Sequence, residues 1–458
     1  MMSKDETNRE GGLMPDNQDE RMKKMGEAAY DCATFMADGV SPYHVVANAE
    51  GHLHEKGFQR LREQDAWDLR RNGKYYVTRN GSSLVAFVAG EGDLAANGFR
   101  FIGAHTDSPG FKLKPDGTMV TRDGYIKAGV EAYGGAILST WFDRPLGVAG
   151  RAVVRKADGR MVEELIDLQR PLFIIPNLAI HFNRDVNSGY AYNKQIDCIP
   201  LMGLSDRGDL GGDFIRWYVE KEAGLDGLLM EYDLFLYEYA PAQRLGAFGE
   251  FISSGRVDNL SMAWAGMHGL CASPETACGK VLALFDNEEV GSRTPSGADS
   301  SFLMQMLQRL SRCYGTEGEG FERALANSIA VSADCAHAIH PNYPEKHDPV
   351  TYPVMGKGIA VKYSASQRYM TNARTAAHFE NVCQAANVNW QRMVNRSDMI
   401  GGSTIGPSLA SLASMPTVDV GIPILAMHSI RELCAIHDVV ESSEAFAAFY
   451  ASAESLPD

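Results

Sequence analysis

The sequence predicts an α/β fold: a central, mostly parallel sheet flanked by helices and interrupted by an inserted, mainly β domain. Three observations predict it. After about residue 248, short apolar runs alternate with stretches of helical period, as in a sheet whose crossovers are helices. Between about 110 and 247 helical pattern is sparse, and short β signals follow one another between turn dipeptides such as Asp116-Gly117, Gly134-Gly135 and Asp158-Gly159. Several apolar runs stop abruptly at a histidine or an acid.

Residues 1–15 read as a solvated tail, and 18–38 as a helix in which Met22, Met25, Ala29, Cys32 and Met36 recur at three- and four-residue spacing before Gly39. KYYVTRNGSSLVAFV is a hairpin turned by Asn80-Gly81. FRFIGAHTDSP is an apolar strand that ends at His105 and Asp107. In the insertion, RPLGVAGRAVVRKADGRMVEELIDL reads as a second hairpin, and GLLMEYDLFLYEY as one long strand. Then come a strand VLALF (281–285), an amphipathic helix 301–315 with Leu303, Met306, Leu307 and Leu310 on one face, and a strand 328–334 ending in Asp334. A helix over 367–387 and a strand 420–429 that reaches His428 complete the series. The predicted units are therefore 16–109 and 248–458 as two parts of one domain, with 110–247 inserted between them.

At 458 residues the chain is too long for one simple core. Its formal charge of −15, without a lysine- or arginine-rich stripe, argues against nucleic acid or an anionic membrane as partner. No apolar run approaches the ~20 residues of a membrane span, and the start MMSKDETNREGG lacks a secretory pattern. Eight scattered cysteines without a CxxC pair fit reduced thiols and a cytoplasmic location, with vacuolar or lysosomal delivery left open.

The polar strand ends carry the chemistry. In open α/β sheets, ligands bind beyond the carboxyl ends of the strands. His105 with Asp107, the group Asp286, Glu288 and Glu289, then Asp334 and His428 all stand at such ends, and Asp258 precedes a helix. Two imidazoles with several carboxylates suit zinc, or manganese and cobalt. Two divalent ions would balance three ligand carboxylates and one hydroxide, which relieves the crowding in DNEE. One of the adjacent glutamates could then bind metal while the other stays free as a base. Each residue also has a plain reading: a lone histidine is usually structural, and an acidic run is usually a solvated turn.

GAHTDSPGFKLKP, TWFDRPLGVAGR, IPNLAIHFNR, SGRVDNL, FDNEEVGS, SADCAHAIHPNYPEKH, QRYMTNA, GGSTIGP and LAMHSIRE together resemble the aspartyl aminopeptidase family, which includes vacuolar aminopeptidase I, over about residues 41–435. The resemblance implies a zinc-peptidase-like fold and two zinc ions. Asp258 would bridge them; His105 and Asp334 would complete one site, Glu289 and His428 the other. Glu288 would be the general base, with Asp107 orienting His105. Lys362 would meet an acidic substrate side chain, and His181 would reach a neighbouring subunit's active site. Ser364 stands where the family has asparagine. The resemblance further implies that the insertion dimerises and that dimers assemble into a tetrahedral dodecamer acting on short peptides with N-terminal Asp or Glu. The rival readings are a broad or neutral aminopeptidase or a deacylase on the same fold, and a non-catalytic assembly protein.

Overall fold

The computed structural model describes residues 16–205, 213–454 and 456. The predicted tail at 1–15 lies outside them. Among the described residues the central sheet has nine strands, in the order Gln59–Arg60, Lys74–Arg79, Ser83–Val88, Gly279–Phe285, Phe99–His105, Ile329–Ala333, Thr417–Gly421, Ile359–Tyr363 and Trp390–Val394. Most neighbours run parallel; Ser83–Val88 is antiparallel to both its neighbours, and Ile359–Tyr363 to Thr417–Gly421.

The sheet is apolar on both faces because strand residues alternate sides. Phe99, Phe101, Val281, Ala283 and Phe285 face one core, shared with Phe302, Leu303, Met306, Leu307 and Leu310 of the helix Phe302–Cys313. Ile102, Ala104, Leu282 and Leu284 face the other, against helices Val257–Ala272 and Ile436–Ala451.

The strands Gly110–Val120, Tyr125–Tyr133, Leu146–Arg155, Met161–Asp167, Leu201–Leu204 and Leu228–Glu238 form a separate, wholly antiparallel sheet. Its own core contains Phe111, Val148, Val154, Ile166 and Leu234, with Ile215 and Val219 of the helix Phe214–Glu222 packed in. A small third sheet joins Phe251–Ser254, Glu432–Ala435, Pro423–Leu425 and Ala336–His337 beside the central one.

Three local expectations change. The helix predicted over 367–387 spans only Ala373–Ala385. Asn372 fixes its start: the side chain accepts from the N–H groups of Arg374 and Thr375, and the Thr375 hydroxyl accepts from the N–H of Asn372. The strand predicted over 420–429 leaves the central sheet after Gly421, because Pro423 has no N–H for the ladder, and continues in the small sheet as Pro423–Leu425. His428 therefore lies in a turn, at φ 66°. A helix that the periodicity did not indicate, Pro42–Glu55, starts at Ser41, whose hydroxyl accepts from the N–H of His44.

Candidate metal centre

The strands Phe99–His105, Gly279–Phe285 and Ile329–Ala333 are parallel neighbours, with Phe285 opposite His105 and Ser332 opposite Gly103. Their carboxyl ends therefore release His105, the turn Glu288–Val290 and Asp334 at one edge. Asp258 enters from the start of the helix Val257–Ala272, where its φ/ψ of −81°/109° departs from helical geometry. His428 comes from the turn beyond Pro423–Leu425.

These residues meet. The ligand atoms of His105, Asp258 and Asp334 lie within 4.8 Å of one another, and so do those of Asp258, Glu289 and His428. The two oxygens of Asp258 diverge: Oδ1 is 3.6 Å from His105 Nε2, and Oδ2 is 3.6 Å from His428 Nε2. His105 Nε2 is 3.8 Å from Asp334 Oδ1, and His428 Nε2 is 3.2 Å from Glu289 Oε1. Tetrahedral zinc with bonds of about 2.0–2.1 Å separates its ligand atoms by about 3.3–3.4 Å, so these spacings suit metal ligation. Asp258 Oδ1 is buried and, among the described residues, accepts no hydrogen bond. A buried carboxylate oxygen in that state suits a cation or an ordered water.

Both histidines are oriented from behind. His105 Nδ1 lies 2.9 Å from the Asp107 carbonyl, and His428 Nδ1 lies 3.2 Å from the Gly135 carbonyl. A proton on each Nδ1 leaves each Nε2 lone pair aimed at the cluster. Asp107 thus faces His105 chiefly through its main chain; its carboxylate Oδ1 is 3.5 Å from Nδ1. That carboxylate accepts the N–H groups of Glu288 at 3.0 Å and Glu289 at 3.1 Å, and the Tyr133 hydroxyl at 2.7 Å. Asp286 is absent from these ligand groupings, and its Oδ1 accepts from the N–H of Asn287. The sequence reading did not single out Glu432. Its carboxylate accepts from the N–H of Asp258 at 2.9 Å and of His428 at 2.7 Å. An acid four residues beyond His428 in LAMHSIRE was the available signal.

Burial, reinforced by Asp334, Glu289 and Asp107, pushes Glu288 up to about 8 against the opposing pull of His105. Burial disfavours the charged form of each group, lowering His105 and raising Asp258, but the neighbouring charges outweigh it: Asp107, Asp258 and Asp334 raise His105, and Asp258, between two histidines, falls below the usual carboxylate range. Such a field selects for added positive charge.

The cluster forms one wall of a cavity of about 810 Å³. Lys362 lines the same cavity, 2% exposed, with Nζ donating to the Cys335 carbonyl at 3.0 Å. Burial lowers its pKa, but Asp334, Tyr369 and Asp419 outweigh this and hold it protonated. His181, on the insertion, is exposed and does not line this cavity. Ser364 Oγ bonds within its own turn, to Ser366 Oγ and the N–H of Arg368.

The sequence profile of the family described as aminopeptidase I zinc metalloprotease (M18) matches residues 35–450. The "Probable M18 family aminopeptidase 2" of Clostridium acetobutylicum is 46% identical over 431 residues, covering 94% of this chain and 100% of its own. The protein of the same name from Pseudomonas fluorescens is 44% identical over 425 residues, covering 92% and 97%. Among solved structures, the chain matches one from the cryo-EM structure of the Ape4 and Nbr1 complex with TM-score 0.89 and 36% identity, covering 93% of this chain and 86% of that one. It matches the crystal structure of prApe1 with TM-score 0.88 and 29% identity, covering 94% and 96%, and the mApe1 dodecamer of S. cerevisiae with TM-score 0.81 and 29% identity, covering 93% and 96%. The chain belongs to the M18 aminopeptidase I family of zinc metalloproteases.

Proposed function

We propose that this aminopeptidase uses two zinc ions and prefers peptides with an N-terminal Asp or Glu. The observation that carries the dinuclear reading is the divergence of the Asp258 oxygens, each 3.6 Å from a different histidine, with Oδ1 lacking a hydrogen bond among the described residues. His105 and Asp334 would hold one ion with Asp258; Glu289 and His428 would hold the other. Manganese or cobalt suit the same donors.

Two such ions would polarise the scissile carbonyl and bring the pKa of a water to roughly 7. Glu288 would serve as the general base toward the attacking water and as the general acid toward the leaving amine. The Asp107 carboxylate fixes the turn that carries Glu288 through two N–H groups, so the base is held in place before substrate arrives. Lys362 favours an acidic side chain, because a buried ammonium that donates to the Cys335 carbonyl, with two further N–H groups to offer, gains from a carboxylate partner.

Residues 16–109 and 248–458 would form the catalytic domain, and 110–247 a dimerisation domain. The insertion exposes Phe182 at 80%, Ile196 at 73% and Leu204 at 74%, apolar surface suited to a second copy. His181 lies beside Phe182, consistent with a role in a partner's site. One solved relative is described as a dodecamer; a tetrahedral dodecamer here would limit substrates to short peptides. Eight free thiols suit a reducing, cytoplasmic setting. Hydrolysis of Asp-, Glu- and Leu-terminated chromogenic substrates beside elemental analysis tests the reading. The expectation is two zinc ions per chain and the fastest release from Asp or Glu; faster release of Leu would overturn the acidic preference in favour of a neutral enzyme.

A further inference from the structure

We propose that Glu432 is a positioning residue of the metal centre: its one carboxylate ties the bridging ligand Asp258 to the terminal ligand His428. The proposal rests on the two-metal reading above. Glu432 is 2% exposed, and its two oxygens are divided between two ligand-bearing residues. Oε2 accepts from the N–H of Asp258 at 2.9 Å, and Oε1 from the N–H of His428 at 2.7 Å.

Both residues need outside support. His428 sits at φ 66°, a conformation that residues other than glycine rarely adopt. Asp258 has non-helical dihedrals inside the first turn of its helix. The small sheet puts Glu432 where both can be reached. It pairs directly with Ser254, four residues before Asp258, at the antiparallel junction of Phe251–Ser254 with Glu432–Ala435, and it follows His428 by four residues. Arg431 points elsewhere, to Glu238 Oε2 at 2.7 Å, and leaves the Glu432 oxygens to the two N–H groups.

A carboxylate suits this task because both its oxygens accept. A glutamine would present an NH2 group to one of the two N–H donors, and an aspartate is one methylene shorter. His105 and Asp334 do not hang on Glu432, so the ion held by His428 and Glu289 should suffer first. Outer partners of metal ligands are worth roughly 10–100-fold in affinity.

The test is zinc titration of the metal-free full-length chain against a competing chelator, for wild type, Glu432→Gln and Glu432→Asp, with melting temperatures recorded without and with zinc. The expected result is two ions on the wild type and, in both variants, one ion held roughly 10–100-fold more weakly, with a smaller loss at the other, which shares only Asp258. The rise in melting temperature on adding zinc should shrink. A purely structural role would lower both melting temperatures equally and leave that rise intact. Wild-type affinity for both ions in either variant, or an unchanged rise, overturns the proposal. Fewer than two ions on the wild type overturns the reading beneath it instead.

Discussion

At the scale of single residues, what distinguishes the adjacent glutamates is what each faces. Glu289 lies against His428, whereas Glu288 groups with His105 and Glu289 and is crowded by Asp334 and Asp107. On the two-zinc proposal, Glu288→Gln should therefore keep the metal content of the wild type and lose turnover by about 10²–10⁴-fold, the range for a missing general acid–base. Elemental analysis beside a rate assay checks this, and an unchanged rate would remove Glu288 from its role. Lys362→Ala deletes a buried cation whose gain from a substrate carboxylate is about 1.5–3 kcal/mol. The kcat/KM for Asp-terminated substrates should fall roughly 10–100-fold, and that for Leu-terminated ones far less. Equal losses would mark the lysine as structural.

At the scale of elements, helix packing carries a pH dependence. His378, on Ala373–Ala385, packs edge-on against Phe449 of Ile436–Ala451, and its Nε2 is buried without a partner among the described residues. Burial, with help from Arg100, lowers it from the ordinary 6.5 to about 4. Between those values the unfolded chain binds a proton that the folded chain does not, so stability falls as pH drops through that window. His378→Phe should flatten this part of the melting-temperature profile, because a ring of similar shape carries no proton and leaves no unpaired nitrogen. A profile parallel to wild type would show that other groups, such as His52, also lowered to about 4, dominate.

At the scale of the whole molecule, the separate antiparallel sheet and the central-sheet region meet at the candidate metal centre. The Gly135 carbonyl, beyond the strand Tyr125–Tyr133, holds the ring of His428. If His181 also serves a partner's site, mixed assemblies have a definite signature. His181→Ala and Glu288→Gln should each be nearly inactive alone. Dissociated and reassembled together, they should recover about a quarter of wild-type activity per chain by random pairing, since only some sites then combine an intact His181 with an intact Glu288. No recovery would confine His181 to its own chain.

Much of this protein was legible from its residues. The apolar runs of Phe99–His105, Gly279–Phe285 and Ile329–Ala333 announce buried parallel strands, and the abrupt change to His105, the DNEE acids and Asp334 marks their open ends. Periodicity and strand termination are local, so the sequence alone determines them. Which acids turn inward is not local. Asp286 and Glu289 are three residues apart, yet of the two only Glu289 joins the groups able to hold a metal among the described residues, because pairing with the neighbouring strand and the Asp107 bonds orient the turn. Glu432 escaped notice because it acts through main-chain N–H groups, which any residue type supplies. Its partner Asp258 lies 174 positions away and is brought to it only by strand register. Tertiary closure decided those pairings, since a hydrogen bond between distant segments depends on the path of the chain between them and leaves no periodic trace in the sequence.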